Sequence, residues 1–198
     1  MKKILTVAVL LCMFCGVASA FGFDVRGGVN VSGMTLIPKS DARVNFSPQI
    51  GYHGSVNADF TLWKGLCLET GVGIEQRGAF DHEMYSDYSL NYLVVPLGVS
   101  YRYALDDKLT VYAEIGGWGS YGLWGDIGAE NMVYDAFDTF ARRLDAGVMA
   151  GFGAVIYGHI HFGFRYSYGL LNIATESTAG ALGNFYNNGM CFQLGWRF

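Results

Sequence analysis

Residues 159–170 read HIHFGFRYSYGL, and the direction in which these side chains point decides the fold. Ile160, Phe162, Phe164, Tyr166, Tyr168 and Leu170 take the even positions. His159, His161, Gly163, Arg165, Ser167 and Gly169 take the odd ones. Successive side chains of a strand point to opposite faces, so the stretch is a strand with one greasy face and one polar face. Two readings follow. Either His159 and His161 sit side by side on a metal-binding or catalytic strand, or this is a membrane strand whose histidines are incidental.

The same alternation recurs seven more times. Phe23, Val25, Val29 and Val31 oppose Asp24, Arg26, Gly28 and Asn30. Ile50, Tyr52, Val56, Ala58, Phe60 and Leu62 oppose Gln49, His53, Ser55, Asn57 and Asp59. Leu66, Leu68, Val72 and Ile74 oppose Glu69, Gly71, Gly73, Glu75 and Arg77. Leu93 through Tyr103 oppose Gly98, Ser100 and Arg102, with Pro96 predicting a bulge or a broken ladder and leaving the facing of Tyr92 and Val94 open. A fifth, blurred segment sets Leu109, Val111, Ala113 and Ile115 against Tyr112, Glu114, Gly116 and Trp118. Leu144 through Ile156 oppose Asp145, Gly147, Met149, Gly151 and Gly153, and Met190 through Phe198 oppose Cys191, Gln193, Gly195 and Arg197. The connections WKG, DDK and YG are short, whereas 33–47, 79–90, 123–142 and 173–188 are long. Eight strands with alternating short and long links predict an all-β, up-and-down antiparallel barrel.

Composition agrees. Glycine is 28 of 198 residues, proline 3, and aromatics 16%; the glycine share is about twice the usual ~7%. The opening MKKILTVAVLLCMFCGVASA has the charged start, apolar run and small-residue cleavage site of a signal peptide over 1–20, leaving 21–198 as a single barrel domain. Cys12 and Cys15 lack the small residues that precede a lipidated cysteine. Without Lys2 and Lys3, 11 basic residues face 17 acidic ones, 11 − 17 = −6, so no basic footprint for nucleic acid is expected. After the leader no apolar run of ~18 residues offers a transmembrane helix.

The alternation alone is symmetric between a soluble lipocalin-like barrel, greasy inside, and a membrane barrel, greasy outside. Three observations choose the second. The polar face is rich in glycine, which suits an eight-stranded lumen just wide enough for side chains. It carries the acids Asp24, Asp59, Glu69, Glu75, Glu114 and Asp145 against Arg26, Arg77, Arg102, Arg165 and Arg197, with no lysine. That near-balance fits a desolvated interior where charges must pair, so these eleven residues are expected to form a structural ion-pair network. Finally, Phe21, Phe23, Trp63, Tyr101, Tyr103, Tyr157, Trp196 and Phe198 gather at the short-turn end. Tyr121, Trp124, Tyr166 and Tyr168 gather at the other, giving the two aromatic girdles of a membrane barrel.

Four stretches in order resemble a known family. VRGGVNVSGM is similar to the first strand of PorT-like outer-membrane β-barrel proteins, NYLVVPLGVSYRY to their Leu-x-x-Pro-Leu strand, RRLDAGVMAGFGA to their Arg-x-Asp-x-Gly strand, and FGFRYSYGLLNI to their Arg-Tyr-x-x-Gly-Leu strand. The resemblance spans about Val25 to Phe198. It implies an exported eight-stranded outer-membrane barrel, an accessory role in a secretion or envelope system, and a terminal Phe198 read by the barrel-insertion machinery. It brings no catalytic residue, and Asp145 and Arg165 enter as structural.

The expected function is thus a small closed barrel of the bacterial outer membrane, in contact with its lipids, with a structural or loop-mediated binding role and a protein partner at the long loops. The alternatives are a soluble carrier of an apolar ligand and a narrow ion or proton path through the lumen. No enzyme is expected: His53, Ser55, Asn57 and Asp59 share a strand face, but a lumen-facing row meets a lipid substrate badly. No cofactor is expected either. His159 and His161, ~7 Å apart along a strand, are weak metal candidates at the lumen mouth, with incidental polar filling as the plainer reading. Cys67 and Cys191 fall at opposite heights, which argues against a disulfide. In the 123–142 link, Val133, Phe137 and Phe140 have helical spacing, which sets a short amphipathic helix against an unstructured loop.

Overall fold

The computed structural model describes residues 20–39, 46–83, 85–129 and 132–198. The strands are β1 (Ala20–Pro38), β2 (Phe46–Trp63), β3 (Leu66–Asp81), β4 (Ser86–Ala104), β5 (Leu109–Ala129), β6 (Met132–Asp135), β7 (Leu144–Ile156), β8 (Ile160–Gly169) and β9 (Gly183–Arg197). Two short helices, α1 (Ala136–Thr139) and α2 (Glu176–Ala181), lie between them. Every pairing is antiparallel. β1 pairs with both β2 and β9, and β4 with β5, which closes a barrel of eight strands; β6 hangs from the far end of β5 as a hairpin. Closure leaves no open edge in the wall, the condition for a sheet to stand in lipid. The expected signal peptide lies outside the described residues except Ala20, which begins β1.

The start of β1 at Ala20, the C-terminal Phe198 and the tight turns share one rim. Lys64 (φ 36°) and Gly65 (φ 90°) turn β2 into β3, and Tyr157 (φ 52°) and Gly158 (φ 75°) turn β7 towards β8. Positive φ at both central residues matches the twist of the flanking strands. At Gly65 any side chain would run into the carbonyl oxygen of Arg102.

The strands outrun the sequence expectation. Much of the links 33–47, 79–90, 123–142 and 173–188 is strand, because β1, β2, β3, β4, β5 and β9 continue well past the apolar-outside segment. A stretch of about ten residues carries exposed apolar side chains at alternate positions: Phe21 to Val29 on β1, Leu93 to Tyr103 on β4, Met190 to the terminal Phe198 on β9. That length crosses a bilayer in a tilted strand. Beyond it the alternation reverses its polarity, keeping its parity on β1, β3, β4 and β9 and shifting by one residue on β2 and β5, so a search for apolar-outside strands misses the extensions. Residues 40–45, within the first long link, lie outside the described residues.

Pro96 does break the β3–β4 ladder: pairing stops between Thr70–Leu97 and Gly73–Val94, with the register unchanged. Thr70 Oγ1 donates to the Pro96 carbonyl at 2.9 Å. Tyr92 and Val94 both face inward. On the other side of β4 a bulge does form, at Asn91/Tyr92 opposite an extra Leu123 on β5, and the β2–β3 ladder shifts register between Pro48 and His53 and between Thr61 and Trp63. The inserted Leu123 moves Trp124 to the outer face, whereas the fifth segment is blurred because the aromatic Tyr112 and Trp118 stand on its inner face.

Above the band the barrel is stoppered. Met34, Tyr88, Leu90, Phe137, Phe140, Ile173 and Phe185 form an apolar core there. α1 begins at Asp135, whose Oδ1 accepts from the Phe137 amide at 2.8 Å, and it drops Phe137 and Phe140 into that core. The ring of Phe137 lies where a side chain at Gly122 would collide with it. Of the three residues at helical spacing, only Phe137 and Phe140 are buried; Val133 sits on β6, 73% exposed. The link is therefore neither unstructured nor a free amphipathic helix: its aromatics are spent inside the collar.

Candidate functional site

All eleven charged residues singled out from the sequence face the lumen, and two linked groups contain them. The first fills the half near the short turns. Arg26, 2% exposed, donates from Nε to Asp24 Oδ1 and from Nη2 to Asp24 Oδ2, both at 2.8 Å. It also reaches Glu69 at 3.7 Å and Glu114 at 4.0 Å. Arg102 bridges Asp59 at 2.7 Å and Glu69 at 2.8 Å. Arg197 meets Asp59 at 2.8 Å, and Arg165 meets Glu114 at 2.8 Å. Four arginines thus answer four carboxylates. Ser100 donates to Glu69 at 2.6 Å and Asn57 to Asp24 at 2.9 Å, which satisfies further lone pairs. Fork-shaped guanidinium contacts of this kind are among the stronger charge-assisted hydrogen bonds, and the burial of these side chains strengthens them.

The second group lies one level higher. Arg77 meets Glu75 at 2.9 Å and Asp145 at 3.5 Å. Its guanidinium stands 4.0 Å over the Trp118 ring and 5.6 Å over that of Tyr92. Asn187 donates to Asp145 at 2.8 Å, Asn30 to Glu75 at 3.1 Å, and His53 Nδ1 is 3.8 Å from Glu75. Trp118, Tyr92 and Arg77 form a slab between the ionic lumen and the aromatic stopper.

Glycines make this crowding possible. A Cβ at Gly22 would stand 2.5 Å from Arg197 Nη2 and 2.6 Å from Asp59 Oδ1. The lumen therefore holds long charged side chains only where its wall has none.

The histidines separate. His159 lies in the turn outside the barrel, its ring stacked on Trp196 at 5.1 Å and 6°, with Nδ1 2.9 Å from the Arg197 carbonyl oxygen. The expectation that His159 and His161 share the lumen face is corrected: the turn ends at His159, so the alternation begins one residue later. His161 is buried against Tyr112, ring to ring 5.2 Å. Among the described residues no group of three or more His, Cys, Asp or Glu is arranged to hold a metal ion. The row His53, Ser55, Asn57 and Asp59 also divides. Asp59 is taken by Arg102 and Arg197, while His53 Nε2 and Asn57 Nδ2 lie 3.2 and 3.0 Å from Ser55 Oγ, all buried. Cys67 and Cys191 are free, buried thiols.

Sequence reasoning missed Asn187, which it placed in a loop, and left out of the girdle Tyr52, whose outward facing it had right (46% exposed) and whose hydroxyl donates to Asn91 at 2.6 Å. The short-turn girdle has charged company: Lys64 Nζ stands 5.3 Å over Trp63 and Lys108 Nζ 5.9 Å over Tyr157.

Apolar side chains outside and paired charges inside a closed antiparallel barrel define a transmembrane protein of the bacterial outer membrane. The chain belongs to the outer membrane protein beta-barrel domain family, whose profile matches residues 17–175. Among solved structures it is similar to the Neisserial surface protein A, at 11% identity and a TM-score of 0.55, covering 89% of this chain and 97% of that one. It is also similar to Ail, the attachment invasion locus protein of Yersinia pestis, at 12% identity, TM-score 0.46, covering 89% and 98%. OprG from Pseudomonas aeruginosa gives 12%, 0.48, and coverage of 90% and 96%. At such identities the likeness concerns the fold alone. No curated protein matches by sequence. The soluble lipocalin-like alternative is set aside, since its apolar face would have to line the lumen.

Proposed function

We propose that this protein is a non-conducting membrane anchor that presents a rigid collar on the cell surface for binding another envelope component. The observation that carries this reading is the change of filling along the barrel axis. Ion pairs and the Arg77–Trp118 slab occupy the lumen, and an aromatic core then stiffens strands that stand clear of the bilayer. A solute path has no use for such a stopper, whereas a docking surface needs the stiffness. Tyr85, 74% exposed, and Val133, 73% exposed, stand on the collar as apolar contacts. The resemblance to PorT-like barrels supports a partner drawn from a secretion or envelope assembly. Phe198, 70% exposed and tied through its amide to the Phe23 carbonyl at 2.9 Å, is the natural handle for barrel-insertion machinery. The aromatic girdles are its contacts with membrane lipid.

The test has two arms. Purified protein in planar bilayers should show no conductance steps. Tyr85→Cys and Val133→Cys, carrying a photo-crosslinker on intact cells, should capture discrete protein adducts that the lipid-facing control Ile115→Cys does not. Conductance steps, or the same adducts from all three positions, would overturn the reading.

A further inference from the structure

The outer wall is not evenly bulky. On β5 the lipid-facing positions Gly117 and Gly119 have little or no side chain, and Gly119 pairs with Ala146 on β7. Leu93 and Val95 stand on one side of this floor, and Leu144 and Leu171 on the other. The result is a groove of about 510 Å³ on the outer face, at the level of the upper girdle residue Tyr121. It runs upward into a second hollow of about 470 Å³ that shares Tyr121, Leu144 and Leu171 and is capped by Arg142, Arg143 and Asn172.

The cap is cationic in a chain of formal charge −4. Arg143 is held in place by Nη1, which donates to the carbonyls of Gly122 at 3.0 Å and Leu123 at 3.1 Å. Its guanidinium also stands 5.0 Å over the Phe137 ring. Among the described residues its Nε and Nη2 make no hydrogen bond. The Arg142 side chain is half exposed and has one carboxylate nearby, Glu176 at 3.8 Å, itself 96% exposed. Such a solvent-facing pair is weak and readily exchanged.

We infer that this groove and its cap form a binding site for a phosphorylated, acylated lipid of the outer leaflet, the chain lying over Gly119 and Ala146 and the phosphate on Arg142 and Arg143. Position supports the lipid: the groove opens onto the apolar band, where acyl chains are the solvent. Charge complementarity supports the phosphate: the guanidinium fork matches its oxygens in pairs, and a basic pocket at headgroup height attracts anionic lipid. Neither half suffices alone. A free phosphate has no use for the groove, and a neutral acyl lipid has none for the arginines.

The test is native mass spectrometry of the detergent-purified protein with dioleoyl phosphatidic acid or dioleoylglycerol, which differ only in the phosphate. The wild type should retain phosphatidic acid at least tenfold better. Arg142→Gln with Arg143→Gln should reduce that preference to near one. Arg142→Gln alone, which leaves the bonds of Arg143 to the β5 carbonyls intact, should lower it severalfold. Gly119→Phe fills the floor without disturbing the fold, since a Cβ there meets nothing within 4 Å, and it should abolish retention of both lipids. Equal retention of the two lipids by the wild type, unchanged retention in Arg142→Gln and Gly119→Phe, or displacement of phosphatidic acid by equimolar inorganic phosphate would each overturn the assignment.

Discussion

Strand β4 holds two proteins in one sequence. Below Leu93 its outer face is Leu93, Val95, Leu97, Val99, Tyr101 and Tyr103, and its inner face ends in Gly98, Ser100 and Arg102. Above, Tyr88, Leu90 and Tyr92 turn inward, each 6% exposed or less, while Asp87 and Ser89 turn outward. The parity never changes; only the solvent does. Where lipid surrounds the wall, burying apolar groups in the lumen gains nothing over leaving them in the bilayer, so cohesion inside falls to hydrogen bonds and ion pairs. Where water surrounds it, the hydrophobic effect returns and fills the same inner face with Phe137, Phe140 and Phe185. The crossing point, near Asn91 to Leu93, marks the membrane boundary more sharply than either girdle.

The heaviest blow to the lower region should come from Arg26→Met. It strips the partner from Asp24 and weakens the surroundings of Glu69 and Glu114. Leaving a buried charge unpaired costs about 3–5 kcal/mol. Urea unfolding of the barrel refolded into lipid vesicles, followed by its heat-dependent gel shift, measures this. Adding Asp24→Asn should recover part of the loss, because one orphaned carboxylate is then gone. If the double variant is no more stable than the single, the lower lumen is not held by coupled charges.

The matching blow to the upper region is Phe137→Ala. Removing a buried phenylalanine costs about 3 kcal/mol or somewhat more, but here the loss should stay local. The membrane band should keep its gel shift, while trypsin gains access to the peptide bonds after Arg142 and Arg143. That segment is tied to the collar by the bond from the Arg142 amide to the Ile173 carbonyl at 2.6 Å and by Arg143, whose guanidinium leans on the Phe137 ring that the substitution removes. Loss of the gel shift together with protease resistance would show that the two regions melt as one.

This division also explains what the sequence disclosed. Lipid-facing alternation is a local signal, and the eight crossing segments are legible from it, as are the inward acids and arginines, because period two fixes which residues share a face. Partners are not legible in the same way. That Asp59 serves both Arg102 and Arg197, rather than orienting His53, depends on strands far apart in the chain. The collar stayed hidden because its polarity runs the other way: Tyr88, Leu90 and Tyr92 alternate as cleanly as Phe192 and Leu194, but with the greasy side inward. His159 misled for a third reason. A turn residue at the end of an alternating run carries the parity of the strand without belonging to it.

The finest test of the boundary is a matched pair of substitutions on the outer face. Leu97, 58% exposed to lipid at mid-band, and Asp126, exposed on β5 above the bulge, both point away from the barrel. An arginine at the bilayer midplane costs about 2–4 kcal/mol, falling to about 0–1 near the interface. Leu97→Arg should therefore destabilise the refolded barrel by about 2 kcal/mol more than Asp126→Arg does, since the first brings a charge into lipid and the second exchanges one charge for another in water. Equal effects would move the boundary above Asp126 and place the apolar-filled collar inside the membrane. The two fillings of the lumen would then have to answer to something other than the solvent outside.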